Sequence, residues 1–206
     1  MTRELHVATD IDEIKLKLAR REAEQQRLTN LEFRLADIVE DELENFDFVH
    51  ARFVLSHLAN PQKALEKMWE AIHPGGILAI EDIDFRGHFC HPECAAFSRY
   101  VELYTKTAQR RGADPNIGPR LPGLLIKARF EAVQIKVVQL VAMSGESKLM
   151  APLTMENIAD SVLAEGLASR AEVDRLIHDL NEFARDPDTV VSGPRVVQTW
   201  GHRPRS

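Results

Sequence analysis

Residues 46–85, FDFVHARFVLSHLANPQKALEKMWEAIHPGGILAIEDIDF, constrain the fold more than any other stretch, because they read as strand, helix, strand. Residues 46–53 form a short apolar run rich in β-formers. Asn60-Pro61 is a cap followed by a first-turn proline, a helix start. Leu65, Met68, Trp69 and Ile72 then recur at i, i+3, i+4 and i+7, one apolar stripe for a sheet to bury. Pro74-Gly75-Gly76 is expected to stop that helix and turn the chain into a second apolar strand, residues 77–83, which ends in acids. Two strands joined by a helix of this length lie parallel with a right-handed crossover. Ligands of open parallel sheets sit beyond the carboxyl ends of the strands. Chemistry is therefore expected at residues 52–57 and 81–91.

The flanks extend the pattern. Residues 5–8 read as a strand, Asp12 as the N-cap of a charged helix over 13–27, and the alternation of Leu31, Phe33 and Leu35 as a strand over 31–36. Two successive βαβ units predict an α/β domain with a mostly parallel sheet. Beyond residue 85 come a loop (87–92), a helix (93–111), a proline-rich loop (114–122), a short helix (121–129) and a strand (133–142). Thr154 is read as the cap of a helix that Gly166 ends, and Ser169 with Glu172 as a capping box opening the next. Residues 195–200 form the last strand. Strand, helical excursion and returning strand predict a C-terminal antiparallel edge pair. The expectation is one domain over 1–206 with a helical insertion at about 154–186, and 206 residues suffice for a full core.

A net charge of −6 argues against a nucleic-acid partner. No apolar run approaches the ~20 residues of a membrane span, and the first dozen residues carry no signal-peptide core. Two cysteines make no disulfide scaffold, so a cytoplasmic location is expected.

This order of elements resembles the class I, Rossmann-type S-adenosylmethionine-dependent methyltransferases. VATDIDEIKLKLAR is similar to the family's second strand and following helix, LEFRLAD to its third strand, and residues 46–85 to its fourth strand, helix and fifth strand. The PGG turn before a hydrophobic strand is the most recognisable piece. One part of the pattern is missing. The family opens with a strand and a G-x-G-x-G loop roughly 20 residues before the acid that ends strand two. Here nine residues precede Asp10, and none is glycine. The resemblance thus implies a sheet lacking its first, central strand, with a gap or an unusual pairing between the strands at residues 5 and 46. It also implies weak or absent cofactor binding by the chain as it stands. An unpaired central edge is a template for another strand, so homodimerisation is one expected outcome.

The same resemblance implies S-adenosyl-L-methionine as cofactor and a set of site residues. Asp10 would accept the ribose hydroxyls, with Ile11 against the adenine; Asp37 would take the adenine amino group, with the Ile38 N–H on a ring nitrogen. Ala51, Arg52 and Phe53, at the end of strand four, would line the amino-acid end of the cofactor and the substrate pocket. Structural readings stand beside these: Asp10 and Asp12 as helix caps, Asp37 as a loop acid in an acidic run, Arg52 as a surface arginine. His57, early in the turn after strand four, is a candidate general base because imidazole as a side-chain type suits neutral pH, and so is His88; a helix-start histidine without a catalytic role is the plainer reading. Glu81, Asp82 and Asp84 crowd one strand end, where three acids need partners. Alternation puts Asp82 and Asp84 on one face and Glu81 on the other. Asp82, Asp84, His88 and His91 are expected on the substrate side. GHFCHPEC has zinc-ligand residue types, but its C-x-x-x-C spacing is loose and no second cysteine pair exists, so no metal is expected.

The function expected is methyl transfer to a small-molecule acceptor. The alternative is a catalytically inactive remnant of the fold, serving as a binding or oligomerisation module.

Overall fold

The computed structural model describes residues 5–205, which fall into two compact units divided between Asn45 and Phe46. In the first unit, β1 (His6–Asp10), α1 (Glu13–Gln25) and β2 (Leu31–Leu35) form a βαβ unit. β1 and β2 pair in parallel, from His6 opposite Leu31 to Asp10 opposite Leu35. Asp12 caps α1 as expected: its Oδ1 accepts the N–H groups of Ile14 and Lys15 at 2.8 and 3.3 Å. α1 buries Leu16 and Ala23 and stops at Gln25, because Arg27 enters the left-handed region at φ 55°.

The second unit holds β3 (Phe46–Arg52), α2 (Pro61–Glu70), β4 (Ile72–Asp84), β5 (Cys90–His91), α3 (Ala95–Arg110), α4 (Leu121–Lys127), β6 (Glu131–Ala142), α5 (Met150–Ala164), α6 (Arg170–Arg185) and β7 (Val190–His202). β3 and β4 are parallel. β7 runs antiparallel to β4 and β5 on one edge and to β6 on the other. The parallel core and antiparallel edge pair thus follow the sequence expectation. The strands form two separate sheets, β1-β2 and the five-stranded sheet of the second unit.

Several boundaries moved, each for a physical reason. The PGG turn lies inside β4, not ahead of it. Pairing with β3 slips there from Phe46 opposite Ile72 to Phe48 opposite Ile77. The bulge needs its glycines: Gly75 has φ 89°, and a Cβ on Gly76 would stand 2.7 Å from the Asp47 carbonyl. α5 begins at Met150, so Thr154 is an interior residue, bonded to the Tyr100 hydroxyl, and not a cap. The Ser169 hydroxyl does accept the Glu172 N–H at 3.2 Å. The Glu172 carboxylate, however, is held by Arg99 at 2.8 Å, so the reciprocal half of the capping box is not made.

α2 buries Ala64, Leu65 and Met68, and each of the two larger side chains contributes about 1.5–3 kcal/mol through removal from water. α3, α5 and α6 share a second cluster in which Tyr100, Leu103, Met155, Val162 and Val173 are almost wholly buried against Phe85 and Val191.

Candidate functional site

β3 ends in a strained turn. Phe53 takes φ 54°, and its N–H donates to the Glu81 carbonyl at 2.8 Å, holding the carboxyl ends of β3 and β4 together. Non-glycine residues in this region are uncommon and tend to mark sites. The chain then turns through residues 55–57, where the Ser56 N–H donates to Asp82 Oδ2 at 2.9 Å. The Ser56 hydroxyl is buried and finds no partner among the described residues.

A cavity of about 480 Å³ opens at this end of the strands. Its floor is the sheet, read in rows across paired residues. Arg52, Glu81 and Gln198 lie side by side on β3, β4 and β7. Two residues further along β4 come Ile83, Val196 and Val138, on β4, β7 and β6. Phe85, Pro194 and Leu140 continue the wall, and Tyr100 and Tyr104 of α3 with Met150 and Thr154 of α5 complete it. Phe85 and Tyr104 stack, ring centres 3.9 Å apart and 13° from parallel. Burial raises the phenol pKa of both tyrosines, and the charge of Asp82 adds to the rise at Tyr104, so both stay protonated. The charged groups gather at one end. Glu81 Oε1 is 3.5 Å from His50 Nε2, Glu81 Oε2 is 3.5 Å from Arg52 Nε, and the Arg52 guanidinium lies 4.5 Å from the Phe53 ring centre.

Of the residues expected on the substrate side, Arg52 and His57 line the cavity, while Asp82, Asp84, His88 and His91 do not. The alternation read from sequence is correct, but the cavity lies on the Glu81 face. Asp82 is fully buried and holds the Ser56 and Ile83 N–H groups. Asp84 is 2% exposed and pairs with Arg195 at 2.7 Å and Arg86 at 3.2 Å. These two acids build the frame beneath the site. His88 sits behind the wall, its Nδ1 2.7 Å from the Phe85 carbonyl and its ring 4.2 Å from the Phe85 ring centre. Burial pushes its pKa down, against that hydrogen bond and the charge of Asp84. His91 is exposed on β5. Ala51 is buried in β3 beside Arg52. Cys90 and Cys94 are free thiols, with burial raising the pKa of Cys90. No group of three or more His, Cys, Asp or Glu side chains among the described residues could hold a metal ion.

In the first unit, Asp10 ends β1 and its Oδ1 accepts the Asp12 N–H at 2.8 Å. Ile11 follows, 69% exposed. Asp37 opens the turn after β2, its Oδ1 accepting the Val39 N–H at 2.8 Å, and Ile38 lies in that turn. Phe53 and Glu81 fall within residues 52–57 and 81–91, where chemistry was expected, whereas the two tyrosines of α3 escaped the sequence reading. The signal for Glu81 was the alternation itself; α3 gave none, because its tyrosines sit on an ordinary amphipathic face.

The chain belongs to the methyltransferase-domain family, whose model matches residues 2–117, and its fold is the Rossmann-like fold of the class I enzymes. The methyltransferase str3 of Strobilurus tenacellus is 35% identical over 114 residues, 53% of this chain and 41% of that protein. The chain spans about two-fifths of the length of the curated relatives it matches. Among solved structures, YcgJ of Bacillus subtilis superposes with a TM-score of 0.60 at 12% identity, covering 98% of this chain and 84% of that one. Phosphoethanolamine N-methyltransferase 2 of Haemonchus contortus, in complex with phosphomonomethylethanolamine and S-adenosylhomocysteine, superposes at 0.53 and 17% identity over 96% of this chain and 43% of that one. No helix among the described residues is long and apolar enough to cross a membrane.

Proposed function

We propose that this protein transfers a methyl group from S-adenosylmethionine to a small-molecule acceptor, as one methyltransferase-like domain to which both units belong. The observation that carries the reading is the aromatic-walled cavity at the carboxyl ends of the parallel strands β3 and β4, with Glu81 and the unpartnered Ser56 hydroxyl in its wall. Membership of the methyltransferase family and the nucleoside and amine bound by the Haemonchus enzyme support it. When bound, S-adenosylmethionine supplies a methyl group activated by a sulfonium. The residues present suit such a group. Phe53 and Tyr104 offer ring faces to a cation, Glu81 offers the one carboxylate of the wall, and the Ser56 hydroxyl is free to bond. Asp10 and Ile11 are our candidates for the ribose and adenine, Asp37 and Ile38 for the adenine edge, and Ala51 and Arg52 for the amino-acid end. His57, exposed and on the cavity wall, takes the acceptor's proton where the nucleophile must lose one; otherwise proximity and in-line orientation suffice. Two free thiols support the reducing cytoplasm as its location.

Calorimetric titration of S-adenosylhomocysteine into the full-length protein tests this. One saturable site is expected, and a weak one, because no Gly-rich loop stands before Asp10 in this sequence to meet the methionine end of the cofactor. Asp10→Ala, which removes charge-assisted bonds to ribose, should weaken it by roughly 1.5–3 kcal/mol, about ten- to a hundredfold. Absence of saturable binding by the unmodified protein would sink the proposal, and unchanged affinity in the variant would remove Asp10 from the site.

A further inference from the structure

The cavity is polar at one end only. Arg52, Glu81 and Gln198 form one row across the sheet, with His57 and Ser56 at the turn beyond β3. From the row of Ile83, Val196 and Val138 onward, no wall residue carries a charge. Phe85, Tyr104, Leu140 and Met150 close that end, with the Thr154 hydroxyl already engaged by Tyr100. The stacked Phe85–Tyr104 pair presents flat ring surface beside a flat strip of branched aliphatics. An apolar wall of this length cannot hold ionised groups without desolvating them unpaired, whereas a ring lies on it at no polar cost. At the polar end the balance is also specific. The one guanidinium of the wall, Arg52, has its Nε 3.5 Å from Glu81, so the two charges of the row offset one another and favour a head group without a net charge. Glu81, with His50 and Arg52 each 3.5 Å from one of its oxygens, can still accept a hydrogen bond from a hydroxyl. Gln198, its direct neighbour on β7, has both a donor and an acceptor.

From this, and resting on the methyl-transfer reading above, we infer that the acceptor is a neutral hydroxyl compound with a flat, ring-sized apolar body. The body lies along the rows from Ile83 to Phe85 beneath Tyr104. The hydroxyl points back to Glu81, which accepts its hydrogen bond, and to Gln198. Small polycarboxylates and other multiply charged acceptors are excluded by the same wall. Glu81 is the specificity-determining residue for the head group, and Val138, on the accessible strand β6, gates the body.

The test uses the full-length protein and equilibrium binding, read by calorimetry, with three probes: 2-naphthol, naphthalene-2-carboxylate and citrate. The expected order is 2-naphthol tighter than naphthalene-2-carboxylate, with no measurable citrate binding. Glu81→Gln should narrow or invert the preference between the two naphthalenes. Val138→Glu, at a position 45% exposed and so tolerant of charge in the fold, should weaken 2-naphthol by about tenfold or more by placing a charge on the apolar row. The same variant should leave the affinity for S-adenosylhomocysteine unchanged. Citrate binding as well as 2-naphthol, or an unaltered 2-naphthol affinity in Val138→Glu, overturns the inference. A preference for the carboxylate in the unmodified protein overturns the hydroxyl head. Binding of 2-naphthol in the expected order without any binding of S-adenosylhomocysteine supports the ring-specific cavity and removes the methyl donor, which separates the two failures.

Discussion

The backbone N–H of Ser56 and the carboxylate of Asp82 are joined at 2.9 Å across 26 residues of sequence. This bond ties the turn after β3 to the carboxyl end of β4, and Phe53, which lines the cavity, sits three residues before it. Asp82 is fully buried, and its other oxygen holds the Ile83 N–H at 2.9 Å.

Replacing that carboxylate should therefore loosen the frame beneath the cavity. Asp82→Ala strands the buried Ser56 N–H, and a loss of about 2–3 kcal/mol is expected. Asp82→Asn retains one acceptor and should lose less. Urea unfolding at neutral pH gives both values. An alanine variant with the midpoint of the parent would show that the turn is held by other contacts.

Lys148 makes a second buried anchor. It is 3% exposed, and its ammonium donates to the Asp186 carbonyl at 2.6 Å, the Thr189 carbonyl at 3.0 Å and the Thr189 hydroxyl at 2.7 Å. It locks the entry to α5 onto the connection between α6 and β7. In Lys148→Met the carbonyls lose a charged donor, so stability should fall by about 2–4 kcal/mol despite the apolar replacement. Thermal unfolding of the variant checks this, and an unchanged midpoint would mean that water replaces the ammonium at no cost.

The sequence disclosed what depends on period and punctuation. Asn60-Pro61, Asp12 and the alternation at residues 31–36 placed α2, α1 and β2 to within a few residues, because caps and apolar spacing are local signals. It disclosed less where a partner decides. β7 runs from Val190, through Gly193-Pro194, because β5 and β6 pair with it there; nothing near those residues says so. Likewise the acids at residues 81–84 announced a crowded strand end, but which face meets the cavity depends on where α3 and α5 pack. Lys148 reads as a surface residue in GESKL until the α6–β7 connection closes over it.

Trp69 offers a test of packing at the far end of α2. Arg129 and Arg203 lie over its ring at 3.8 and 3.7 Å from the ring centre, and Arg203 also donates to the carbonyls of Trp69 and Ile72 at 2.8 and 2.6 Å. One guanidinium thus caps the helix and stacks on its last aromatic residue. Arg203→Ala should cost about 1–3 kcal/mol, and Arg203→Lys should recover only part of it, since an ammonium lacks the planar fork. Equal stability of the lysine variant and the parent would show that charge, not geometry, is what matters here.

His88 gives the molecule an acid-sensitive support for the cavity wall. Burial lowers its pKa from the usual value of 6.5, so the folded protein resists protonating a ring that the unfolded chain protonates readily. The unfolded state then binds more protons below that value, and stability falls as pH drops. The contribution is complete above pH 6.5, and it is lost progressively as the pH falls toward and through the lowered folded value. In His88→Gln the side-chain amide can still donate to the Phe85 carbonyl, now without a titrating group. Unfolding midpoints measured near neutral pH and at about one unit below 6.5 should therefore separate more for the parent than for the variant. Parallel pH dependences in the two proteins would show that His88 is not held neutral behind Phe85, and the acid sensitivity of the wall would have to come from another group.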